Sequence, residues 1–586
     1  MYHTSIGRKA FTLLELMIAF VVMAILSAVA VPSLLNVVNG DQHTGDNASA
    51  IAATSAYTDA QFATGQYGAP TGTVAAAGIT AAGLPSGVTV VPGVATNSVL
   101  FTYPHDTVCV DLQSGGATPT LGSDCGSSGG GSGSTTTTLT LASWQTAIEV
   151  PGTGAMNVGD YAQVTAISCS SAGNCSAGGI YATGANFLTE PFVVNEISGV
   201  WQTAIEVPGI ATLNTGNNAN LTSLSCSSAG NCAAAGSYTS STGIQAFVVS
   251  ETNGVWGSAI EVAGALNVNG YGEAFGVSCT SNGNCAAGGQ YEDASYLNQA
   301  FVIDETNGTW GTAIEVPGIG ALNVKGQASV DSISCSSPGN CAASGTYLGA
   351  SFHGEAFVVS ETNGVWGSAT TVASSLNVGN NAVSGTISCS SAGNCAAGGL
   401  YADAAGKMQA FVVDESSGTW GSAIEVPGTT TLNAGGSALV ASVSCSSAGN
   451  CAAGGSYADA AGKTQAFVVD ESSGTWGSAI EAPGTAALNA GNASVYSVSC
   501  TSAGTCAAAG QYSDSSGISQ AFVINESGGT WGTAIEVPGT SSLNAGGSGN
   551  SALSISCSSA NACVAGGNFS DGTSSNKLQS WVANYS

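Results

Sequence analysis

Most of the sequence is built from one unit of about 55 residues that recurs eight times. Each unit has a Trp, an AIEVPG-like run, a Leu-Asn or Met-Asn pair and then two cysteines in a C-x5-C spacing. The tryptophans are Trp144, Trp201, Trp256, Trp310, Trp366, Trp420, Trp476 and Trp531. A unit this short cannot bury an apolar face alone, so neighbouring units must stack on one another. The period therefore restricts the fold to a repeat architecture.

Each unit carries four short strand signals separated by Gly-rich turns. In the sixth unit these signals cover Ala441–Cys445, Cys451–Tyr457, Gln465–Glu471 and Thr475–Ala482. Four strands in every 55 residues or so are typical of a β-propeller blade, whereas a parallel β-helix needs shorter rungs and separate domains need linkers. The sequence thus predicts an all-β, eight-bladed β-propeller.

The phase of the repeat predicts how the ring closes. The array begins at Ser143-Trp144 with a fourth strand and ends at Gln579–Ser586 with a third strand. The first strand of the array can therefore complete the last blade, which leaves no open sheet edge.

The paired cysteines of the repeat predict local disulfides. Zinc sites are the alternative, but they use C-x2–4-C spacings with further ligands, and only His43, His105 and His353 follow the leader. We expect eight disulfides, each holding one hairpin, with no metal and no cofactor. The pairs are Cys169 and Cys175, Cys226 and Cys232, Cys279 and Cys285, Cys335 and Cys341, Cys389 and Cys395, Cys445 and Cys451, Cys500 and Cys506, and Cys557 and Cys563.

Charge is sparse and acidic: 35 Asp and Glu stand against 6 Lys and Arg, a formal net charge of −29. This composition excludes nucleic-acid binding through phosphate neutralisation, because no basic patch can be built. Since so few groups titrate, we also expect the stability to depend weakly on pH between about pH 3 and about pH 7.

The N-terminus combines a short basic segment with a long apolar run. Arg8 and Lys9 precede Phe11–Leu35, which is long enough to cross a bilayer and contains one charge, Glu15. An ordinary signal anchor or signal peptide is one interpretation. A carboxylate inside an apolar run is costly, however, and usually serves a function.

These residues resemble the start of type IV prepilins and of type II secretion pseudopilins. The shared motif is a small residue followed by Phe-Thr-Leu-Leu-Glu, here Ala10 and then residues 11–15. The resemblance implies cleavage by prepilin peptidase between Ala10 and Phe11, methylation of the Phe11 amine, and filament assembly in which Glu15 neutralises that amine in a neighbouring subunit. Pro32 lies where many pilins have a helix-kinking proline.

The resemblance also divides the chain into domains. We expect a leader at 1–10, a pilin domain at 11–126, a Gly/Ser/Thr linker at 127–140 and the propeller at 141–586. The pilin domain would contain a hydrophobic helix at 11–38 and a small α+β part with strands at Val88–Val91 and Ser98–Leu112. Pilins carry a disulfide near the end of this domain, which implies a Cys109–Cys125 pair.

The turn before each Trp resembles a degenerate Asp-box of sialidase-type propellers, as in Ser417–Trp420. No Arg follows Arg8, which excludes sialidase chemistry because its substrate carboxylate needs an arginine cluster. Two rows of glutamates recur, one following Ile and one preceding the turn, and such regular positions favour a structural role. Tyr291-Glu292-Asp293 and His353 depart most clearly from the repeat, without forming a recognisable catalytic set. We expect no enzyme activity.

One Asn recurs in the long connection between blades, and two interpretations remain open. Its side chain closes an Asx-type turn, or it belongs to a polar ligand-binding rim together with Tyr161, Tyr271 and Tyr291. The set is Asn157, Asn214, Asn267, Asn323, Asn377, Asn433, Asn489 and Asn544.

Taken together, these features predict a type IV pilus subunit that polymerises through its N-terminal helix and displays the propeller for adhesion or for binding a glycan or surface ligand. Its partners would be further copies of itself, prepilin peptidase and the pilus assembly machinery. It would pass through the inner membrane as a precursor and end in an extracellular filament. The alternatives are a minor pilin, a secretion pseudopilin or a membrane-anchored propeller enzyme acting on glycans.

Overall fold

The chain divides into two units, Met1–Thr140 and Leu141–Ser586. The computed structural model describes residues 89–92, 98–102, 107–111, 120–121 and 142–586, apart from 185–187, 282, 548 and 573–576. The predicted cleavage site, the helix at 11–38 with Glu15 and Pro32, and Cys125 with its predicted bond to Cys109 lie outside the described residues. Within the described ranges, no helix is long and apolar enough to cross a membrane.

Four short strands form one antiparallel sheet in the first unit. They are β1 (Thr89–Pro92), β2 (Ser98–Thr102), β3 (Thr107–Asp111) and β4 (Thr120–Leu121), paired in chain order. The single strand predicted over 98–112 is wrong, because Leu100 pairs with Cys109 across two antiparallel strands. Pro104 lies between them in the sequence and has no N–H to donate to a ladder.

The second unit is an eight-bladed β-propeller, as the repeat predicts. Blade 2 shows the pattern: three long antiparallel strands are followed by two short ones that both pair with the third strand. Its strands are Ala219–Ser228, Asn231–Ser240, Gly243–Thr252, Val255–Trp256 and Ile260–Val262.

The other blades follow the same order. Blade 1 has Ala162–Ser171, Asn174–Ala182, Thr189–Ile197, Val200–Trp201 and Ile205–Glu206; blade 3 has Glu273–Ser281, Asn284–Glu292, Asn298–Thr306, Thr309–Trp310 and Ile314–Glu315; blade 4 has Ala328–Ser337, Asn340–Leu348, Gly354–Thr362, Val365–Trp366 and Thr370–Val372. Blade 5 has Ala382–Ser391, Asn394–Ala402, Met408–Ser416, Thr419–Trp420 and Ile424–Glu425; blade 6 has Ala438–Ser447, Asn450–Ala458, Thr464–Ser472, Thr475–Trp476 and Ile480–Glu481; blade 7 has Ala493–Ser502, Thr505–Ser513, Ser519–Ser527, Thr530–Trp531 and Ile535–Glu536. Blade 8 has Ser551–Ser559, Ala562–Ser570 and Leu578–Tyr585, completed by Ile148–Glu149.

Six of the described connections between blades contain a one-turn helix. These helices are Thr153–Met156, Ile210–Leu213, Ile319–Leu322, Thr429–Leu432, Thr485–Leu488 and Thr540–Leu543.

The third strand of each blade forms the core. In blade 2, Phe247, Val248 and Val249 follow one another and are all at most 1% exposed, because the blade packs against a neighbour on each face. Burying a side chain of this size contributes about 1.5–3 kcal/mol. The other blades repeat the core aromatic as Phe192, Phe301, Phe357, Phe411, Phe467, Phe522 and Trp581.

The ring closes as the phase of the repeat predicts. Ile148 and Glu149 pair with Val582 and Trp581 of the last blade. The backbone N–H of Ser143 donates to the Ser586 carbonyl at 3.1 Å, and the Ser586 N–H donates to the Ser143 carbonyl at 3.3 Å. Strands from the two ends of the repeat array therefore share one sheet.

The eight predicted disulfides are confirmed. Each joins two residues that face one another across the hairpin of the first and second strands, as Cys226 and Cys232 do with their Cα atoms 4.0 Å apart. Each bond closes a sequence separation of 6 residues, so each disulfide lies within a single blade.

The predicted continuous fourth strand is wrong. In blade 6 the run is interrupted at 477–479, between Thr475–Trp476 and Ile480–Glu481. The Ala479 N–H leaves the ladder and donates to the Pro427 carbonyl, in the connection from the preceding blade, at 2.7 Å. A bond between blades thus replaces a bond within the sheet.

Candidate functional site

The long connections between blades lie on the same side of the ring as the hairpins that join the second and third strands. The connection into blade 4 touches the hairpins on both sides of it, because the Gly326 carbonyl accepts from Asn298 N–H and the Leu348 carbonyl accepts from Lys325 N–H. The connection into blade 5 follows the same pattern, since Gly379 N–H donates to the Ala402 carbonyl. We call this surface of hairpins and connections the loop face.

The recurring Asn joins neighbouring blades at the loop face. Asn323 donates to the Asn298 carbonyl at 2.7 Å and to Gln299 Oε1 at 2.9 Å, both in blade 3. Its Oδ1 accepts from the N–H of Gln327 at 2.9 Å and from that of Leu348, in blade 4. One buried amide thus satisfies backbone groups of two blades.

These Asn side chains do not form an exposed rim. Asn157, Asn214, Asn267, Asn323, Asn377, Asn433 and Asn544 are at most 7% exposed, while Asn489 is partly exposed. The ligand-binding interpretation is therefore wrong for the seven buried side chains, because their polar atoms face the protein interior. In six of them Oδ1 accepts from a backbone N–H four residues later, as in Asn267 with Tyr271, which is the geometry of a local turn. Oδ1 of Asn544 accepts from the Ser570 N–H instead.

The bonds continue from the Asn into the hairpin. Gln299, which accepts from Asn323, donates in turn to Asp293 Oδ2 at 3.1 Å. Asp293 Oδ1 accepts from the N–H groups of Ser295 and Leu297. Burial raises the pKa of Asp293, but the bonds from Gln299 and the two N–H groups outweigh it and lower that pKa overall. The hairpin is thereby fixed to the connection.

Three tyrosines were candidates for a ligand-binding rim, and for Tyr291 that prediction is wrong because the side chain is buried. It is 3% exposed, and its hydroxyl donates to Glu315 at 2.8 Å. Tyr271 is 37% exposed, and Tyr161 is half-buried.

The Tyr291–Glu315 bond explains why the first row of glutamates recurs. Equivalent bonds occur in blades 1, 2, 5, 6 and 7, where Tyr181, Tyr238, Tyr401, Tyr457 and Tyr512 donate to Glu206, Glu261, Glu425, Glu481 and Glu536. Burial, then the nearby Glu481, raises the pKa of Tyr457 to about 12.

The second row of glutamates lies buried in the seams between blades. Glu251, 2% exposed, accepts from Asn195 of the preceding blade, and Trp256 Nε1 donates to Asn195 at 3.4 Å. The same arrangement uses a Ser at other seams, where Ser250 donates to Glu305 and Ser360 to Glu415, both at 2.7 Å. Burial raises the pKa of each of these glutamates, and the donated bonds partly offset it.

At three seams the donor is replaced by a second carboxylate. Trp366 Nε1 donates to both oxygens of Asp304, which leaves Glu361 beside a like charge. Burial, and then the Asp304 charge, raise the pKa of Glu361 to about 7. The same two causes raise the pKa of Glu471, beside Asp414, and of Glu526, beside Asp470, to about 7.

These seams repeat around the ring and do not single out one reactive position. A cavity of about 200 Å³ opens at the seam between blades 1 and 2, lined by Asn195, Glu196 and two disulfides. In the described part of the chain, no three His, Cys, Asp or Glu side chains are grouped to hold a metal ion.

Two residues that sequence reasoning missed are the most exposed aromatics of the described structure. Tyr296 is 73% exposed and Phe352 is 68% exposed, in the loop-face hairpins of blades 3 and 4. A signal was present in the sequence, because the equivalent positions of blades 5, 6 and 7 are Gly406, Gly462 and Gly517. His353, singled out as a departure from the repeat, follows Phe352 directly and is half-buried.

Solved structures similar to this chain share little sequence identity with it. Chaetomium thermophilum Sqt1 has 12% identity and a TM-score of 0.42, covering 74% of this chain and 97% of its own. The β-propeller domain of the Pyrococcus furiosus Trilobed protease has 8% identity and a TM-score of 0.35, covering 65% and 97%. A prolyl endopeptidase has 14% identity and a TM-score of 0.38 over 66% of this chain, which spans only 51% of that enzyme.

None of the curated proteins compared with the sequence matches it. A family model described as the prokaryotic N-terminal methylation motif matches residues 7–31. This range contains the predicted cleavage site at Ala10 and Phe11, together with Glu15. The chain therefore carries a prepilin-type N-terminal methylation motif and, C-terminal to it, an eight-bladed β-propeller.

Proposed function

We propose that this protein is a type IV pilus subunit that polymerises through its N-terminal segment and displays the propeller on the filament surface for adhesion. The observation that carries the proposal is the methylation motif at residues 7–31 on the same chain as the closed propeller. The motif supports processing by prepilin peptidase, a precursor held in the inner membrane, and export by the pilus assembly machinery. Assembly would bring Glu15 of one subunit to the methylated Phe11 amine of the next, which removes the cost of two isolated charges in an apolar filament core.

The propeller has features suited to an extracellular position. Its eight disulfides form and persist in oxidising compartments, and each closes a hairpin at the edge of a blade. The closing strand also covers the edge of the third strand of blade 8, where Ile148 pairs with Val582, and an uncovered edge of this kind promotes aggregation.

The carboxylates support display rather than catalysis. The glutamates that follow Ile accept from tyrosine hydroxyls, as Glu315 does from Tyr291, and those in the seams are buried between blades, as Glu251 is. An acid–base pair needs two carboxylates in unlike environments at one position, whereas these recur from blade to blade.

The test is to express the full chain in a cell with its pilus machinery and to image surface filaments with an antibody against the propeller. We expect labelled filaments whose subunits begin with methylated Phe11 by mass spectrometry. Glu15→Ala should leave the precursor in the membrane fraction and abolish the filaments, while the control Glu206→Ala, in the propeller, should leave them intact. Normal filaments from Glu15→Ala would contradict the proposal.

A further inference from the structure

The hairpins of blades 3 and 4 share their backbone shape with those of blades 5 to 7 but differ at one position. In blade 5 the Gly406 N–H donates to the Asp403 carbonyl at 2.9 Å; in blade 3 the Tyr296 N–H donates to Asp293 at 3.0 Å, and in blade 4 the Phe352 N–H donates to Gly349 at 3.0 Å. The φ angle at this position is +75° for Gly406, +60° for Tyr296 and +62° for Phe352.

This left-handed conformation suits Gly and costs free energy at a residue with a bulky side chain. Neither aromatic recovers that cost by burial, because Tyr296 is 73% and Phe352 is 68% exposed. Two neighbouring blades thus carry strained, solvent-facing aromatics where three other blades have the relaxed residue. Strain of this kind at an exposed side chain points to a function.

The two aromatics lie in hairpins on either side of one connection, which bonds to both of them. Between their hairpins runs the connection into blade 4, where Gly326 lies so close to Leu297, the neighbour of Tyr296, that a Cβ on it would be 2.3 Å from Leu297 Cδ2. On the other side of this connection, Lys325 Nζ lies 4.4 Å from the centre of the Phe352 ring. Val324, 51% exposed, precedes Lys325 in the same connection. We call Tyr296, Val324, Lys325 and Phe352 the aromatic platform.

We propose that the aromatic platform binds a neutral glycan of equatorially substituted pyranose units, of the β-glucan or chitin type. Such a sugar has an apolar face of axial C–H groups that stacks on an aromatic ring, and its hydroxyls accept hydrogen bonds from an amine such as that of Lys325. This inference rests on the proposed display function, because it supplies the ligand of the displayed propeller.

Size and charge favour a neutral sugar over other occupants. Two aromatic side chains exposed to this degree offer about 300 Å², whereas a stable protein interface needs about 800 Å² from each partner. A polyanionic glycan would be repelled by a chain with a net charge of −29, in which Lys325 is the cation of the platform.

The binding test uses the purified full chain, with cellohexaose and chitohexaose as neutral probes and an oligogalacturonate as the acidic probe, in isothermal titration calorimetry. Tyr296→Gly and Phe352→Gly restore the residue of blades 5 to 7, so both variants should fold with an unchanged or higher unfolding temperature. We expect the wild type to bind a neutral probe, each variant to bind it about tenfold more weakly, and the double variant to lose measurable binding. The matched control Ile480→Ser, 45% exposed on the outer strand of blade 6, should bind as the wild type does.

Three results would overturn the proposal: no binding of either neutral probe, a clear preference for the acidic probe, or glycine variants that bind as the wild type does. Filaments from the Tyr296→Gly/Phe352→Gly variant are imaged in parallel. Normal filaments without sugar binding by the wild type would count against the platform alone, whereas sugar binding by a wild-type chain that forms no filaments would count against the pilus proposal alone.

Discussion

Trp366 of blade 4 donates its indole N–H to both carboxylate oxygens of Asp304 in blade 3, at 3.2 and 3.1 Å. The carboxylate of Asp304 accepts this bond but has no hydrogen to donate to Glu361, which lies beside Asp304 and is 4% exposed. Glu361 Oε2 has no hydrogen-bond partner among the described residues. Ionisation of the Glu at a seam of this kind therefore costs free energy.

The first prediction is that the propeller loses stability as the pH rises towards neutrality. The pKa of Glu361 is about 7 in the folded state, above its ordinary value of 4.5. Between these values the folded chain holds a proton that the unfolded chain has released, so the contribution of Glu361 to stability is fully present below about pH 4.5 and is lost as the pH rises through about 7. Thermal unfolding followed from pH 4 to pH 8 measures this slope, and an unfolding temperature that rises over this range would contradict it.

Asp304→Asn should remove part of that slope. It recreates the seam between blades 1 and 2, where Asn195 accepts from Trp256 and donates to Glu251. The variant should unfold at a higher temperature than the wild type at pH 8 and at about the same temperature at pH 4. Asn195→Asp is the reverse control and should steepen the slope.

The second prediction concerns the disulfides. Replacing Cys226 and Cys232 by Ala should lower the free energy of unfolding by about 2 kcal/mol, because the unfolded chain regains the freedom of one small loop. The equivalent double replacement of Cys445 and Cys451 should cost about the same, and the two losses should add because blades 2 and 6 are not neighbours. Calorimetric unfolding measures all three variants; a loss that exceeds the sum would show that the hairpins cooperate.

The third prediction tests the closing strand. Ile148→Pro removes a backbone N–H from the strand that pairs with Val582, and it should cost about 1–3 kcal/mol and make blade 8 the first part of the propeller to be digested. Ile205→Pro makes the same change in blade 1, whose strands are contiguous in sequence, and should cause only local fraying. Limited proteolysis with mass mapping separates the two outcomes, and identical digestion patterns would exclude a special role for closure.

The fourth prediction is that the buried Asn side chains stabilise the propeller. Asn323→Ala removes the bonds that its side chain makes to the Asn298 carbonyl and to the N–H groups of Gln327 and Leu348, so it should destabilise the propeller by about 1–3 kcal/mol. Asn489→Ala should cost less, because Asn489 is partly exposed and, among the described residues, its side chain bonds to Gln465 and Gly491. A loss of stability that is larger for Asn489→Ala would contradict the geometry.

The ring, the blade number and the disulfides could be predicted because they follow from spacing alone. A Trp and a C-x5-C pair in every unit set the blade count, and the position of Trp144 before the first complete unit indicated the closing strand. The interruption of the fourth strand could not be predicted, because it depends on the Ala479 N–H reaching Pro427 in another blade.

The site was harder to predict because burial is a property of the assembled ring. The sequence around Asn323 does not distinguish a side chain that faces solvent from one that faces a neighbouring blade. The four hydrogen bonds of its side chain distinguish the two, and they exist only in the assembled ring. Weak dependence on pH was expected from the low number of charges, whereas the seams bury glutamates such as Glu361 where their ionisation is costly. Tyr296 and Phe352 were overlooked although the Gly at the same place in other units marked them.

The closing strand has a mechanical consequence. All eight disulfides of the propeller lie within single hairpins, so the two-residue strand Ile148–Glu149 is joined to the last blade by non-covalent contacts alone. A pull on the chain N-terminal to the propeller reaches this strand before it reaches any cystine. Under tension we expect the ring to unlatch at blade 8 while every other hairpin keeps its covalent loop, so that single-molecule pulling would record a short, early extension that reverses when the force is released.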